Sequence, residues 1–236
     1  MKEEEFLKDA LEAEKEVEHE EHHKDHIALQ EKRKKIIVGI LALLLLLMFL
    51  AWYLPSDFVK LDPEPKNIPK LSEFHFDIQQ KNITHTEIKD IEEYNLLISP
   101  EDPLIKDLAD SIVTQSCASN ERACFAKALF YFVRDNFEYV NDPLAFEYVK
   151  SAPESLMTQG GDCDDASVLL ANLMRSIGIN TRFVFIPGHV YVQVQIPEAT
   201  RKYKDENDWI NVDATCKNCA FGEIPFQNVK VEKQYV

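Results

Sequence analysis

The 236-residue chain reads as an α+β fold with an antiparallel sheet, preceded by one helix of membrane-spanning length. Three observations carry this reading. Apolar residues recur at helical spacing in three segments between 101 and 177. From residue 182 the period changes to two. Ahead of both, residues 36–54 run for 19 positions without a charge.

That apolar run is close to the roughly 20 residues a helix needs to cross a bilayer. It keeps no polar face, as a soluble helix would. Trp52 and Tyr53 fall at its end, where interfacial aromatic residues collect. A cleaved signal peptide fits less well: the run starts deep in the chain, its core is long, and no small-residue cleavage site follows Tyr53. Lys32, Arg33, Lys34 and Lys35 abut its N-terminal end, whereas Lys60, Lys66 and Lys70 lie scattered among acids beyond it. The positive-inside rule then predicts a single-pass protein of the cell membrane, with residues 1–35 cytoplasmic and 55–236 outside.

The flanking segments differ in character. Residues 1–35 form a charged tail in which Phe6, Ala10, Ala13 and Val17 keep a weak helical spacing, a face that residues 1–31 could offer to a cytoplasmic partner. His19, His22, His23 and His26 would share one helical face. With no second ligand type nearby, that stripe reads better as a solvated face than as a metal or proton sensor. Residues 55–100 carry Pro55, Pro63, Pro65 and Pro69 among charges and read as a juxtamembrane spacer and lead-in. Asn82-Ile83-Thr84 is a glycosylation acceptor triplet.

The domain proper is expected over 101–236. Ile105, Leu108 and Ile112 mark one amphipathic helix, and Phe125, Leu129, Phe132 and Val133 a second, joined as an αα-hairpin. Residues 163–177 are apolar nearly all round and predict a buried central helix, ended by Gly178. Strands follow at 182–186, 189–196 and 209–213, the first two joined by the Pro187-Gly188 turn. The net charge of −15 argues against nucleic acid as a partner, and 45% apolar content against a disordered acidic chain.

Chemistry concentrates in Gln159-Gly160-Gly161-Asp162-Cys163-Asp164-Asp165. Cys163 sits at a helix start, where unpaired N–H groups and the helix dipole favour a thiolate, the nucleophilic form. Three aspartates oppose a further anion, so a base must compensate. His189 opens a strand after a glycine turn, and Asp213 ends the next strand. Antiparallel pairing would bring these two to the same end of the pair, where a carboxylate can hold an imidazole tautomer.

The segments GGDCDDASVLLANLMRSIGI, RFVFIPGHVYVQV and WINVDATC, in that order, resemble the three motifs of the transglutaminase-like superfamily, in particular its microbial membrane-anchored members. The resemblance spans about residues 100–220. It implies a papain-like fold with Cys163 as nucleophile, His189 as general base and acid, and Asp213 as orienting residue. It implies acyl transfer at an amide bond of a protein or peptide substrate, without choosing among peptidase, deamidase and amine transfer. The Cys163 backbone N–H is one oxyanion donor, and Gln159 is the candidate for a second. No cofactor is called for and no metal ligands are assigned.

The remaining cysteines are Cys117 and Cys124, which bracket the turn between the first two helices, and Cys216 and Cys219, a CxxC after Asp213. Disulfides suit an extracytoplasmic domain. The local pairs Cys117–Cys124 and Cys216–Cys219 are favoured, with pairing between the two regions or a redox-active CxxC as alternatives. Any pairing of these four leaves Cys163 over. Two function classes follow: a membrane-anchored cysteine acyltransferase or hydrolase, or a catalytically silent, membrane-tethered binding domain on the same fold.

Overall fold

A computed structural model describes residues 29–53, 62–74, 88–142, 148–205 and 207–236. The histidine stripe, the acidic tail ahead of it and the Asn82 triplet lie outside these residues. The chain divides into two units, Met1–Phe58 and Val59–Val236. What is described of the first is helix α1 (Leu29–Tyr53), exposed along its length and long and apolar enough to cross a membrane.

The second unit is built around one helix. α2 (Pro103–Ser116) begins where Asp102 accepts the Leu104 N–H and Pro103 supplies a preset φ. It packs against α3 (Arg122–Asn136), and the Cys117–Cys124 disulfide closes the turn between them. α5 (Cys163–Ser176) lies between this hairpin and the sheet, with residues 164–174 all buried. Asn172, a polar residue inside that apolar helix, is fully partnered. Its Oδ1 accepts the Ser99 N–H, and its amide donates to the Leu97 and Val168 carbonyls.

The sheet runs β5 (Trp209–Val212), β4 (His189–Gln195), β3 (Asn180–Ile186), β6 (Gln234–Tyr235), antiparallel throughout. β3 pairs with β4, Ile186 opposite His189, across the expected two-residue turn. Gly188 occupies φ +71° there, a conformation that glycine adopts without steric cost. β5 lies on the other side of β4, Val212 opposite Val192.

One face of the sheet packs on α5 through Phe183, Val190, Val192, Val194, Ile210 and Val212. Alternation predicts this apolar face, but the opposite face is buried as well. Val184, Ile186 and Tyr191 form a second cluster covered by Ile224 and Val231. The Arg182 guanidinium lies 4.2 Å from the Trp209 ring centre and 4.1 Å from that of Tyr235. It ties β6 to the sheet.

The spacer expectation needs correction: its described parts belong to the domain. Lys127, wholly buried in α3, donates to Asp62 at 2.5 Å, to Glu64 at 2.6 Å and to the Pro63 carbonyl at 3.2 Å. Leu71, Tyr94 and Leu97 enter the core. A lysine on an apolar helical face must find anions, and here they come from the proline-containing segment. The short elements β1 (Glu138–Tyr139), α4 (Ala152–Thr158) and β2 (Gly160–Gly161) escape the sequence pattern, because two-residue strands and a two-turn helix are too short to show a period.

β1 and β2 pair in parallel, Tyr139 beside Gly161. The two glycines are expected to leave an open loop, but the space at Gly161 is filled. A Cβ there would run into the Asp165 carboxylate, which folds back beneath the strand. Gly161→Ala is therefore expected to destabilise the chain by about 2 kcal/mol through overpacking, read from the urea midpoint.

Candidate active site

The nucleophile loop is assembled by local rules. α4 ends at Gln159 in the left-handed conformation, φ 55°, and the Gln159 carbonyl accepts the Glu138 N–H at 2.9 Å. The Val140 N–H donates to the Gly161 carbonyl at 2.8 Å. The chain then turns at Asp162, the N-cap, into α5, whose first residue is Cys163. The Asp162 side chain makes no capping bond, although aspartate is a favoured N-cap residue. Asp164 instead accepts the Asp165 N–H at 2.7 Å. Cys163 is half-buried and is the one free thiol, since Cys117–Cys124 and Cys216–Cys219 are both bridged.

The β4–β5 register brings His189 and Asp213 together as the strand argument requires. His189 Nε2 lies 2.9 Å from Asp213 Oδ2, with Asp213 almost wholly buried. Cys163 acts on the same imidazole and raises its pKa. Because Nε2 is engaged by Asp213, Nδ1 is the nitrogen left for sulfur. Thr215 approaches the other carboxylate oxygen: its N–H donates to Oδ1 at 3.1 Å and its hydroxyl at 2.7 Å. Gln159 sits exposed at the end of α4, four positions before Cys163.

The charges follow from these contacts. Burial pulls the His189 pKa down, but the bonds to Asp213 and Cys163 and their charges outweigh it, and the imidazole is pushed up to about 10. Burial raises the Asp213 carboxyl, and the bonds from His189 and Thr215 more than reverse this, so it lies below its ordinary value. Asp164 is held well above the usual carboxylate range by burial and by the neighbouring Asp162, Asp165 and Cys163. Tyr94 places its hydroxyl 3.3 Å from Asp164 Oδ2.

Asp165 is wholly buried. Lys150 donates its backbone N–H to Oδ1 at 2.7 Å and its ammonium to Oδ2. Burial raises the Asp165 carboxyl, whereas Lys150 lowers it and is itself raised. With two donors on one carboxylate, the pair is read as ionised. Asp162, Asp164 and Asp165 each offer one oxygen within 4.8 Å of the others, the hard donor type that suits Mg²⁺ or Ca²⁺. Both Asp165 oxygens are already bonded to Lys150.

The sign of the pH dependence follows. His189 and Asp164 both have folded-state values above their unfolded ones, so as pH rises the folded chain keeps protons that the unfolded chain has already released. The His189 contribution is whole below its ordinary 6.5 and is lost as pH rises through about 10. That of Asp164 is whole below its ordinary 3.8 and fades as pH climbs through its raised value. Asp213 acts oppositely, losing its contribution as pH falls below the ordinary carboxylate range. Urea midpoints are expected to fall between about pH 6.5 and 10, and His189→Gln should flatten that slope.

Thr215, Lys150 and Tyr94 were missed by sequence reasoning. Thr215 had a local signal, since a hydroxyl two residues after an aspartate can close a turn on its carboxylate. Lys150 and Tyr94 lie 15 and 70 residues from their partners and carried none.

Comparison with known proteins gives one family match, over part of the chain, and several structural neighbours. No curated protein matches the chain. A structure from Cytophaga hutchinsonii, described as a candidate cysteine protease, is 19% identical over 54% of this chain and 43% of its own, with a TM-score of 0.38. Legionella pneumophila LapG is 18% identical over 58% of this chain and 82% of its own, with a TM-score of 0.36. The chain thus spans less than half the length of the first of these. Residues 106–214 match the transglutaminase-like superfamily. That segment contains Cys163, His189 and Asp213.

Proposed function

We propose that this chain is a membrane-anchored cysteine enzyme that acts on amide bonds of a protein or peptide through Cys163, His189 and Asp213. The observation that carries the reading is the 2.9 Å contact between His189 Nε2 and the buried Asp213 Oδ2, with the free thiol of Cys163 raising the pKa of the same ring. The Nε2–H donates a hydrogen bond to the ionised Asp213, which leaves Nδ1 to take the proton from sulfur. The thiolate–imidazolium pair that results is the reactive form.

The thiolate attacks the amide carbonyl, forming a C–S bond. The oxyanion develops beside the Cys163 backbone N–H, one of the unpaired donors at the start of α5. His189 gives its proton to the leaving nitrogen, the C–N bond breaks, and a thioester remains. His189 then takes a proton from water or an amine as it attacks. Collapse releases the acid or new amide and returns the proton to the Cys163–His189 pair. α1 serves as the anchor, with residues 55–236 outside the cytoplasm. The two disulfides support that side of the membrane, because they persist in oxidising compartments.

The test is to incubate the full-length chain in detergent with a library of peptide amides, quench with acid and weigh the intact protein. An acyl adduct that maps to Cys163 and is absent from Cys163→Ala supports the reading and identifies the acyl donor. Turnover that persists in Cys163→Ala would sink it.

A further inference from the structure

We propose that Thr215 is the positioning residue that fixes the Asp213 carboxylate, and through it the His189 ring, with the loop Cys216–Cys219 as its rigid mount. The inference rests on the active-site reading above and deepens it.

A carboxylate turns softly about its last torsion, because an sp³–sp² bond has broad minima. Asp213 gives Oδ2 to His189 and would be free to swing if nothing held Oδ1. Thr215 holds it twice, with its N–H at 3.1 Å and its hydroxyl at 2.7 Å. Asp213 is only 1% exposed, so bulk water cannot readily stand in for either donor. Both bonds favour the ionised carboxylate, and an ionised carboxylate favours the imidazolium that must form when sulfur gives up its proton.

Thr215 is itself held on a short, tied loop. The Cys216 N–H donates to the Asp213 carbonyl at 3.2 Å, and the Cys219 N–H to the Cys216 carbonyl at 3.1 Å. The disulfide between them closes this turn. The loop is then docked on the C-terminal end of α3 from both directions. The Lys217 ammonium reaches the Phe137 carbonyl at 2.7 Å and the Arg134 carbonyl, while Arg134 Nη1 donates to the Cys219 carbonyl at 2.8 Å. The helix end thus carries the loop, the loop carries Thr215, and Thr215 orients the carboxylate. A threonine that merely ended β5 would need neither its hydroxyl bond nor this mount.

The experiment compares the full-length chain with Thr215→Val and Thr215→Ser in detergent, following iodoacetamide alkylation of Cys163 against pH under non-reducing conditions. Thr215→Val is expected to slow alkylation near neutral pH by about tenfold and to move the acid limb of the profile upward, while Thr215→Ser keeps the wild-type behaviour. An unchanged rate and profile in Thr215→Val, or an equal loss in both variants, overturns the proposal. Should Thr215→Val fail to fold, Thr215→Ala against Thr215→Ser makes the same comparison with the methyl absent from both. The His189 imidazole, titrated by NMR, reads the Asp213 contact without reference to the thiol. Its midpoint should fall in Thr215→Val and hold in Thr215→Ser. An unchanged midpoint overturns the role of Thr215 even if Cys163 itself proves unactivated.

Discussion

Asp213→Asn is expected to reduce the alkylation rate of Cys163 roughly ten- to hundredfold near pH 6.5. The estimate comes from the ordinary thiol, with pKa about 8.5 and therefore about 1% ionised at that pH. An amide in place of the carboxylate fills the same space but presents no charge to the imidazolium. Its NH₂ group, turned toward His189, would also select the tautomer with the proton on Nδ1, the nitrogen that must accept from sulfur. The far-ultraviolet spectrum should stay native, because Thr215 can still donate to the side-chain oxygen. A wild-type rate in Asp213→Asn would mean that the His189–Asp213 contact does not activate the thiol.

The largest effect on stability is expected two positions after the nucleophile. Asp165→Ala removes a wholly buried carboxylate and strands two donors of Lys150, the backbone N–H and the ammonium. It also empties the space beneath Gly161. Breaking one side of a buried pair in this way should cost about 3 kcal/mol, measured as the shift in urea midpoint at constant slope. Asp165→Asn, which keeps an acceptor for the N–H, should cost less. Combining Asp165→Ala with Lys150→Met should recover part of the loss, because the stranded ammonium is then gone. A cost below about 1 kcal/mol for Asp165→Ala would show that the pair contributes little.

These predictions separate what the sequence could reveal from what only the fold assembled. The central helix was legible because 163–177 is apolar nearly all round, and β3 to β5 because alternation with hairpin-length links leaves few other pairings. His189 and Asp213 could be placed together from strand direction alone, since each lies at the end of its strand that antiparallel pairing makes common. The local cysteine pairs were legible from spacing.

What stayed hidden were contacts between residues distant in sequence and elements too short to show a period. The buried Lys127 finds its anions in Asp62 and Glu64, more than sixty residues earlier in the segment expected as spacer. The second apolar face of the sheet depends on Ile224 and Val231, from a stretch with no periodic pattern. At Gly161 the missing side chain leaves room for the Asp165 carboxylate. Such residues are fixed by tertiary neighbours, and sequence spacing carries no record of them.

The central claim is that Cys163 is an activated nucleophile supported by His189 and Asp213. It is tested most directly by the iodoacetamide alkylation rate of the full-length chain in detergent, under non-reducing conditions near pH 6.5, with Cys163→Ala as control. The account predicts a single label on Cys163, added at least about tenfold faster than to a free cysteine and slowed in His189→Ala. Labelling no faster than a free thiol, or unaffected by His189→Ala, would contradict it.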